Sequence, residues 1–328
     1  MSTVYITWWA WFIGSAILSR LNKHWYDNII IVDHLDRSEK WKNLVWKKYF
    51  MYYDKKDFLE KIKNNEIINK NDIVIHMGAC SSTIEKDSGY LMENNTKYSW
   101  YLYQRCKKVW ARLIYASSAA TYWKWEKWYD DNIFDLHPLN MYWYSKQLFD
   151  EWILKDTNNF KNLEIPQIVW LKFFNVYGPN EYHKWRMASV VFHWYNQIKQ
   201  EGKIKLFKSY KIWIPHWEQK RDFIYIKDVV KIIKFFIDNP DKNWIFNVWT
   251  WKARSFNDLA KSVFNALWLK PNIEYIDMPD WLKQKYQYFT EAKIDKLRQI
   301  EYSENFFSLE DGVKDYVQNY LDKWYLVY

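Results

Sequence analysis

Tyr142 and Lys146 stand four residues apart in "YWYSK", and Ser118 lies upstream in "YASSAATY". Positions i and i+4 share one face of a helix, so the lysine ammonium comes near the phenol and favours its ionised form. A phenolate near neutral pH is a usable general base toward an alcohol, and a serine at a strand end can hydrogen-bond the same oxygen. Each has a plainer alternative: Ser118 as a helix cap, and Lys146 and Lys184 as solvated lysines. His76 and His193 serve equally well as structural histidines, and no spacing of cysteine and histidine suggests a metal.

Chemistry of this kind needs a turn that holds a cofactor, and "VYITWWAWFIGS" from residue 4 has the outline of strand, tight turn and helix start. With glycine at positions 8 and 11 it would be a G-x-x-G-x-x-G turn ending at Gly14. Such glycines permit the tight turn, let backbone approach a pyrophosphate, and allow helix and strand to pack closely. Tryptophan does none of these.

The chain has 24 Trp and 6 Gly in 328 residues, where an average composition predicts roughly 23 glycines. Trp123, Trp143, Trp185, Trp249 and Trp251 also stand where glycine would suit, whereas Trp41 and Trp152 occupy apolar positions. A uniform replacement points to one codon, most simply UGA, read as tryptophan where the cell of origin reads glycine. The other reading is a Trp-rich chain whose nucleotide turn is blocked.

Apolar, β-rich runs recur at residues 4, 28, 72, 112 and 167, separated by amphipathic stretches such as "KDFLEKIKNN" and "SKQLFDEWILKD". This alternation predicts an α/β fold, a doubly wound parallel sheet of Rossmann type with a second, smaller α/β domain. Residues 1–175 form the nucleotide-binding part, with returns at about 222–250. Residues 176–221 and 251–328 form mainly the substrate part.

Residues 1–19 carry no charge, but Thr3, Thr7 and Ser15 interrupt them and a second strand follows, which argues against a membrane span. The net charge of +9 comes from lysines scattered along the chain, so solvated faces and a few phosphate contacts explain it better than a nucleic-acid surface. Cys80 and Cys106 are too few for a disulfide framework and fit a reducing cytoplasm.

Together these pieces resemble the extended short-chain dehydrogenase/reductase superfamily. Within it the chain is similar to the ADP-L-glycero-D-manno-heptose 6-epimerase family. The similarity runs over nearly the whole length through "HMGACSST", "NNTKYS", "YASSAATY", "PLNMYWYSKQLFD", "FFNVYGPNEYHKWRMASVVFH", "KLFKSY", "RDFIYIKDV" and "KYQYFTEA". The segment 175–193 is the most diagnostic.

The resemblance implies NADP held by the turn at Trp8, Trp11, Phe12, Ile13 and Gly14, with Asp33 and His34 at the end of the second strand. It places Lys40 and Lys55 near the adenosine phosphate. Met77, Gly78, Ala79, Cys80, Ser81, Asn94, Lys146, Val176 and Lys184 would complete the cofactor site. Asp33 alone suggests NAD, since a carboxylate there pairs with a ribose hydroxyl. Lys40 is a cation placed to meet a 2′-phosphate. The chain departs from the family at Met77, usually Glu, and at His34, usually Asn.

For substrate the resemblance implies Ser118, Asn175, Arg186, His193, Phe207, Lys208, Ser209, Tyr210, Arg221 and Tyr286. Arg221 suits a diphosphate because guanidinium offers paired donors. The implied reaction inverts C6 of ADP-D-glycero-D-manno-heptose through a transient 6-ketone with NADP kept bound, on the route to lipopolysaccharide. Ser118, Tyr142, Lys146 and Lys184 are the catalytic set, and a homo-oligomer, pentameric in relatives, is implied. The rivals are another nucleotide-sugar epimerase or dehydratase, and a non-catalytic protein, for instance one that binds nucleic acid, with a closed cofactor site.

Overall fold

The computed structural model describes residues 2–80, 85–122, 138, 140–157, 164–210, 218–250, 252–283 and 295–328. Thirteen strands run along the described chain: β1 Val4–Thr7, β2 Ile29–Asp33, β3 Met51–Asp54, β4 Ile73–His76, β5 Arg112–Ser118, β6 Ile168–Phe173, β7 Asn175–Tyr177, β8 Ile204–Phe207, β9 Lys220–Arg221, β10 Phe223–Tyr225, β11 Trp244–Val248, β12 Arg254–Ser255 and β13 Ile273–Ile276. Between them lie α1 Phe12–Lys23, α2 Lys55–Lys63, α3 Ser88–Leu91, α4 Tyr98–Val109, α5 Met141–Asp156, α6 Val190–Glu201, α7 Ile226–Asp238, α8 Phe256–Ala266, α9 Asp280–Lys283, α10 Asp295–Gln299 and α11 Leu309–Tyr316.

Seven strands form a parallel sheet in the order β11-β6-β5-β4-β1-β2-β3. Successive side chains of a strand point to opposite faces, and both faces here are covered. Val4, Ile6, Ile73, Ile75, Ile114, Val169 and Leu171 enter one core, while Tyr5, Val74, Leu113, Tyr115, Ile168 and Trp170 enter the other. Continuous Ile/Val runs are therefore the expected texture of these strands. Helix α7 lays Val229, Val230, Ile232, Ile233 and Phe236 on the first core at helical spacing. A capping box between Ser255 and Asp258 starts α8.

The doubly wound expectation is thus met, with one addition. Edge strand β3 is not evident in the sequence because its residues are half-buried or exposed and lack a continuous apolar run. Strand β11, within the stretch 222–250 expected to return to the first part, lies in the main sheet beside β6. Three two-stranded pairs, β7–β10, β8–β13 and β9–β12, lie outside that sheet. Among the described residues no helix is long and apolar enough to cross a membrane.

The backbone bears directly on the tryptophan anomaly. Trp8, Trp25, Trp46, Trp110, Trp185, Trp244, Trp268 and Trp324 all have positive φ. A residue with a Cβ there costs about 1–2 kcal/mol. Eight such residues cost roughly 8–16 kcal/mol, comparable with the entire stability of a typical domain, ~5–15 kcal/mol. Of the glycine-like positions suggested by the sequence, Trp8 and Trp185 show this strain. Trp143 instead sits in the first turn of α5, and Trp249 is buried just after β11. Trp123 and Trp251 fall outside the described residues.

Candidate active site

The strand order reverses between β1 and β4, and a doubly wound sheet opens a crevice at the carboxyl ends of the strands at such a point. His76, fully buried at the end of β4, ties the two strands together: Nδ1 lies 2.7 Å from Thr7 Oγ1 and Nε2 lies 2.8 Å from Ser99 Oγ. Burial holds this imidazole well below the usual histidine range, with the Lys146 charge adding to the effect. A structural role for His76 accounts for all of its polar atoms.

Beside this point is a cavity of about 550 Å³ that gathers Ser118, Tyr142, Lys146, Asn175, Val176 and Lys184 from separate parts of the chain. Trp8, Trp11, Phe12, Ile13, Gly14, Met77 and Ala79 close it from the side of the turn. Asn140 accepts a hydrogen bond from the Trp143 amide at 2.9 Å, capping α5 and setting Tyr142 in its first turn.

Burial pushes the Tyr142 phenol up to about 12, and its hydrogen bond with Ser118 draws it part of the way back. Lys146 is buried with its ammonium donating to the Ala116 carbonyl at 2.8 Å and the Gly78 carbonyl at 3.4 Å. Desolvation brings it down to about 8 against the opposing pull of Asp150. The expected lowering of the phenol is therefore reversed: Tyr142 loses water on burial, and Lys146 is stripped of water too and engaged by main-chain carbonyls. Lys184, with a side chain 15% exposed, lies 3.9 Å from Glu181 and 4.7 Å from the centre of the Phe12 ring. Burial sets it below the ordinary lysine range while Glu181 opposes that shift.

On the cofactor side, the buried Asp33 carboxylate accepts from the Ala10 amide and the Lys40 ammonium, both at 3.0 Å. Burial raises this carboxyl and Lys40 lowers it. His34 instead pairs with Asp54 at 2.8 Å near the surface, and Lys55 donates to Asn94 Oδ1 at 3.0 Å. Gly78 and Cys80 lie on the loop after β4, and Ser81 falls outside the described residues. Sequence reasoning missed Asn95, which is fully buried, accepts from the Cys80 amide at 2.7 Å and donates to Ser145 Oγ at 3.0 Å. It fastens the loop to the helix that carries Tyr142. Its signal in the sequence is the "NNTKYS" stretch, of which the resemblance assigns only the neighbouring Asn94.

A dinucleotide does not fit the turn as it stands. The Trp8 ring is 9% exposed and packs edge-on against Tyr98 and His76, with centroids 5.1 and 5.8 Å away. A Cβ on Gly78 would meet that ring at 1.8 Å, so the indole lies directly on the loop after β4. Gly14 does serve the close packing expected of a third glycine, since a Cβ there would lie 2.5 Å from Trp9 Cα and 2.6 Å from the Trp8 carbonyl oxygen.

Residues assigned to substrate are more dispersed. Asn175 lines the cavity and donates to the Asp222 carbonyl at 2.9 Å. Arg221 is buried on β9, with its guanidinium 5.8 Å from the Phe256 ring centre. Phe207 ends β8, Ser209 follows it, and Lys208 and Tyr210 engage Asp277 at 3.3 and 2.9 Å. Arg186 and His193 are exposed and do not line this cavity. Tyr286 lies outside the described residues. The cavity walls not singled out from sequence are Ala116, Ser117, Phe173, Phe174, Tyr177, Phe223, Phe256 and the stretch 187–191. Several belong to "FFNVYG" and "MASVV", stretches noted for resemblance without a role for each residue.

The NAD dependent epimerase/dehydratase family model matches residues 4–248. The ADP-L-glycero-D-manno-heptose-6-epimerase of Fusobacterium nucleatum subsp. nucleatum is 47% identical over 331 residues, covering 98% of each chain. The protein of that name from Nitratidesulfovibrio vulgaris strain DP4 is 47% identical over 96% of this chain and 97% of its own. Among solved structures, the Helicobacter pylori ADP-L-glycero-D-manno-heptose-6-epimerase superposes with a TM-score of 0.78 at 27% identity, covering 97% of this chain and 96% of that one.

Proposed function

The chain belongs to the NAD dependent epimerase/dehydratase family, and on that premise we propose that it inverts C6 of ADP-D-glycero-D-manno-heptose to the L-glycero epimer. The observation that carries this reading is the meeting of Tyr142 and Lys184 in one cavity, from segments far apart in sequence. Near-full-length identity to two heptose epimerases supports the choice of substrate.

The C6 hydrogen of a heptose has no adjacent carbonyl to acidify it, so inversion by transient oxidation to a 6-ketone is the easier route. In this reading Tyr142 or Lys184 takes the proton from the C6 hydroxyl, and the other returns one to the C6 oxygen. Ser118 orients the phenol, while Lys146 positions the helix and loop around it. Oxidation calls for a nicotinamide cofactor, NADP by the sequence expectation. The turn carrying Trp8 is in conflict with it, so no step through the cofactor is derived from this geometry.

Residues 1–175 with 222–250 would hold the cofactor and residues 176–221 with 251–328 the sugar nucleotide. The enzyme would act in the cytoplasm as a homo-oligomer. The test is product analysis after incubating protein purified from its own cell with ADP-D-glycero-D-manno-heptose and, separately, with UDP-hexoses. Inversion of the heptose alone is the expected result. Turnover of a UDP-hexose instead would move the chain to another specificity of the family.

A second reading is favoured by the Trp8 ring lying on Gly78: a non-catalytic protein with its cofactor turn closed. Absence of bound nicotinamide, together with salt-dependent RNA or DNA binding, would support it.

A further inference from the structure

We propose that the tryptophans at left-handed backbone positions, together with Trp9 and Trp11 of the first turn, are glycines in the protein as its own cell makes it. The expected ligand of the reopened turn rests on the epimerase reading above; the identity of the residues does not.

The backbone carries the first part. The non-glycine residues with positive φ are Trp8, Trp25, Trp46, Trp110, Trp185, Trp244, Trp268 and Trp324, the four Asn or Asp residues Asp36, Asn65, Asn71 and Asn180, and Ile68, Glu301 and Tyr325. Asn and Asp visit this region because a short polar side chain bonds locally, whereas tryptophan has no such compensation. Trp185, at φ 48° and ψ −124°, occupies a region essentially restricted to glycine.

Local hydrogen bonding carries the second. Trp110 caps α4 at φ 61° and ψ 39°, and the following Ala111 amide closes back on the Cys106 carbonyl at 2.9 Å. Beyond α1 the Tyr26 amide reaches the Leu21 carbonyl at 3.2 Å after Trp25, and beyond α8 the Leu269 amide reaches Phe264 at 3.0 Å after Trp268. This is the helix ending in which the left-handed residue is usually glycine.

The side chains give these residues no reason to be there. Trp25, Trp46, Trp185, Trp268 and Trp324 are 80–97% exposed, so their indoles gain little from burial. In the turn the opposite holds: Trp9 is wholly buried with its indole N–H lacking a hydrogen-bond partner, and Trp8 fills the crevice between the ends of β1 and β4. Trp152, by contrast, lies inside α5 and meets the Trp100 ring edge-on at 5.4 Å. Two codons sort the chain in this manner: the ordinary tryptophan codon where an indole packs in a regular element, and UGA, read as glycine by the cell, where backbone alone is needed. Glycine at 8, 9 and 11 removes the rings that face Gly78 and the start of α1.

The experiment is peptide mass spectrometry on protein isolated from its own cell, followed by assay for bound nicotinamide on the same preparation. Tryptic peptides ending at Arg20, Arg37, Lys47 and Arg112 report positions 8, 9, 11, 25, 46 and 110, and the peptide 147–155 reports Trp152 as an internal control. Glycine at the first six with tryptophan at 152 is the expected result. Tryptophan at those six overturns the proposal. Glycine in the turn with no nicotinamide carried would leave the assignment standing and remove the epimerase reading. Tryptophan there with nicotinamide bound would overturn the assignment and leave the epimerase reading standing.

Discussion

The Ser118 side chain hydrogen-bonds the Tyr142 phenol at the edge of the cavity, and this bond works against the burial that raises the phenol to about 12. Made in the chain with glycine at 8, 9 and 11, Tyr142→Phe removes the proposed acid/base oxygen and keeps the ring. A positioned acid/base group is worth ~10²–10⁴-fold, so kcat should fall by that order with nicotinamide content unchanged. Ser118→Ala should lower kcat less and move the alkaline limb of the rate profile upward. Nicotinamide content, read from protein absorbance after denaturation, separates lost chemistry from lost binding.

Lys184→Met should also slow epimerisation by roughly 10²-fold or more, because the cavity holds no other lysine besides Lys146 among its described lining residues. Steady-state rates starting from each epimer are the measurement. Near-normal turnover in both Tyr142→Phe and Lys184→Met would sink the two-base scheme.

Lys146 links function to pH through stability. Its folded value, about 8, lies below the ordinary lysine value of 10.5, so the unfolded chain binds more protons between those limits. Stability contributed at this site therefore rises with pH from about 8 to 10.5 and is absent below it. The gain is on the order of 3 kcal/mol. Urea unfolding at pH 7.5 and 10 should show a larger rise in the parent than in Lys146→Met, which keeps the rise from buried Lys47, itself held at about 8. Tyr142 opposes it only above about pH 10, where the unfolded phenol ionises first.

The Asp33–Lys40 pair, at 3.0 Å and almost without water, should behave as a buried ion pair. Lys40→Met leaves the carboxylate with only the Ala10 and His34 amides and should cost about 3 kcal/mol. Adding Asp33→Asn should recover much of that loss, a coupling that a double-mutant cycle in denaturant would measure. If the two losses simply add, the pair is not coupled.

Recombinant chain of the sequence as written should become more stable with Trp110→Gly or Trp46→Gly, by about 1 kcal/mol each. Trp152→Gly should destabilise it by at least ~1 kcal/mol, since glycine inside a helix costs that much before the Trp100 contact is counted. Chemical denaturation of the three variants gives the sign directly.

The sequence by itself determined the parallel sheet, because strands buried on both faces must be largely apolar runs without strict alternation, and β1, β2, β4, β5 and β6 all have that texture. It also marked Tyr142 and Lys146 by their local spacing and Ser118 by its place at a strand end, and it raised the tryptophan problem from composition alone. Edge strand β3 escaped because its half-exposed residues lack the buried pattern. Only the tertiary structure decided that Lys184 shares a cavity with Tyr142, that Asp33 is paired with Lys40, and that Asn95 holds the loop after β4 to α5. Those are contacts between residues far apart in the chain, set by packing rather than by period. The left-handed φ at Trp25, Trp46, Trp110, Trp244, Trp268 and Trp324 was likewise invisible, since a dihedral is imposed by how a helix or turn must end and not by the side chain standing there. Burial made the last decision: it raised the phenol that local spacing alone predicted would fall.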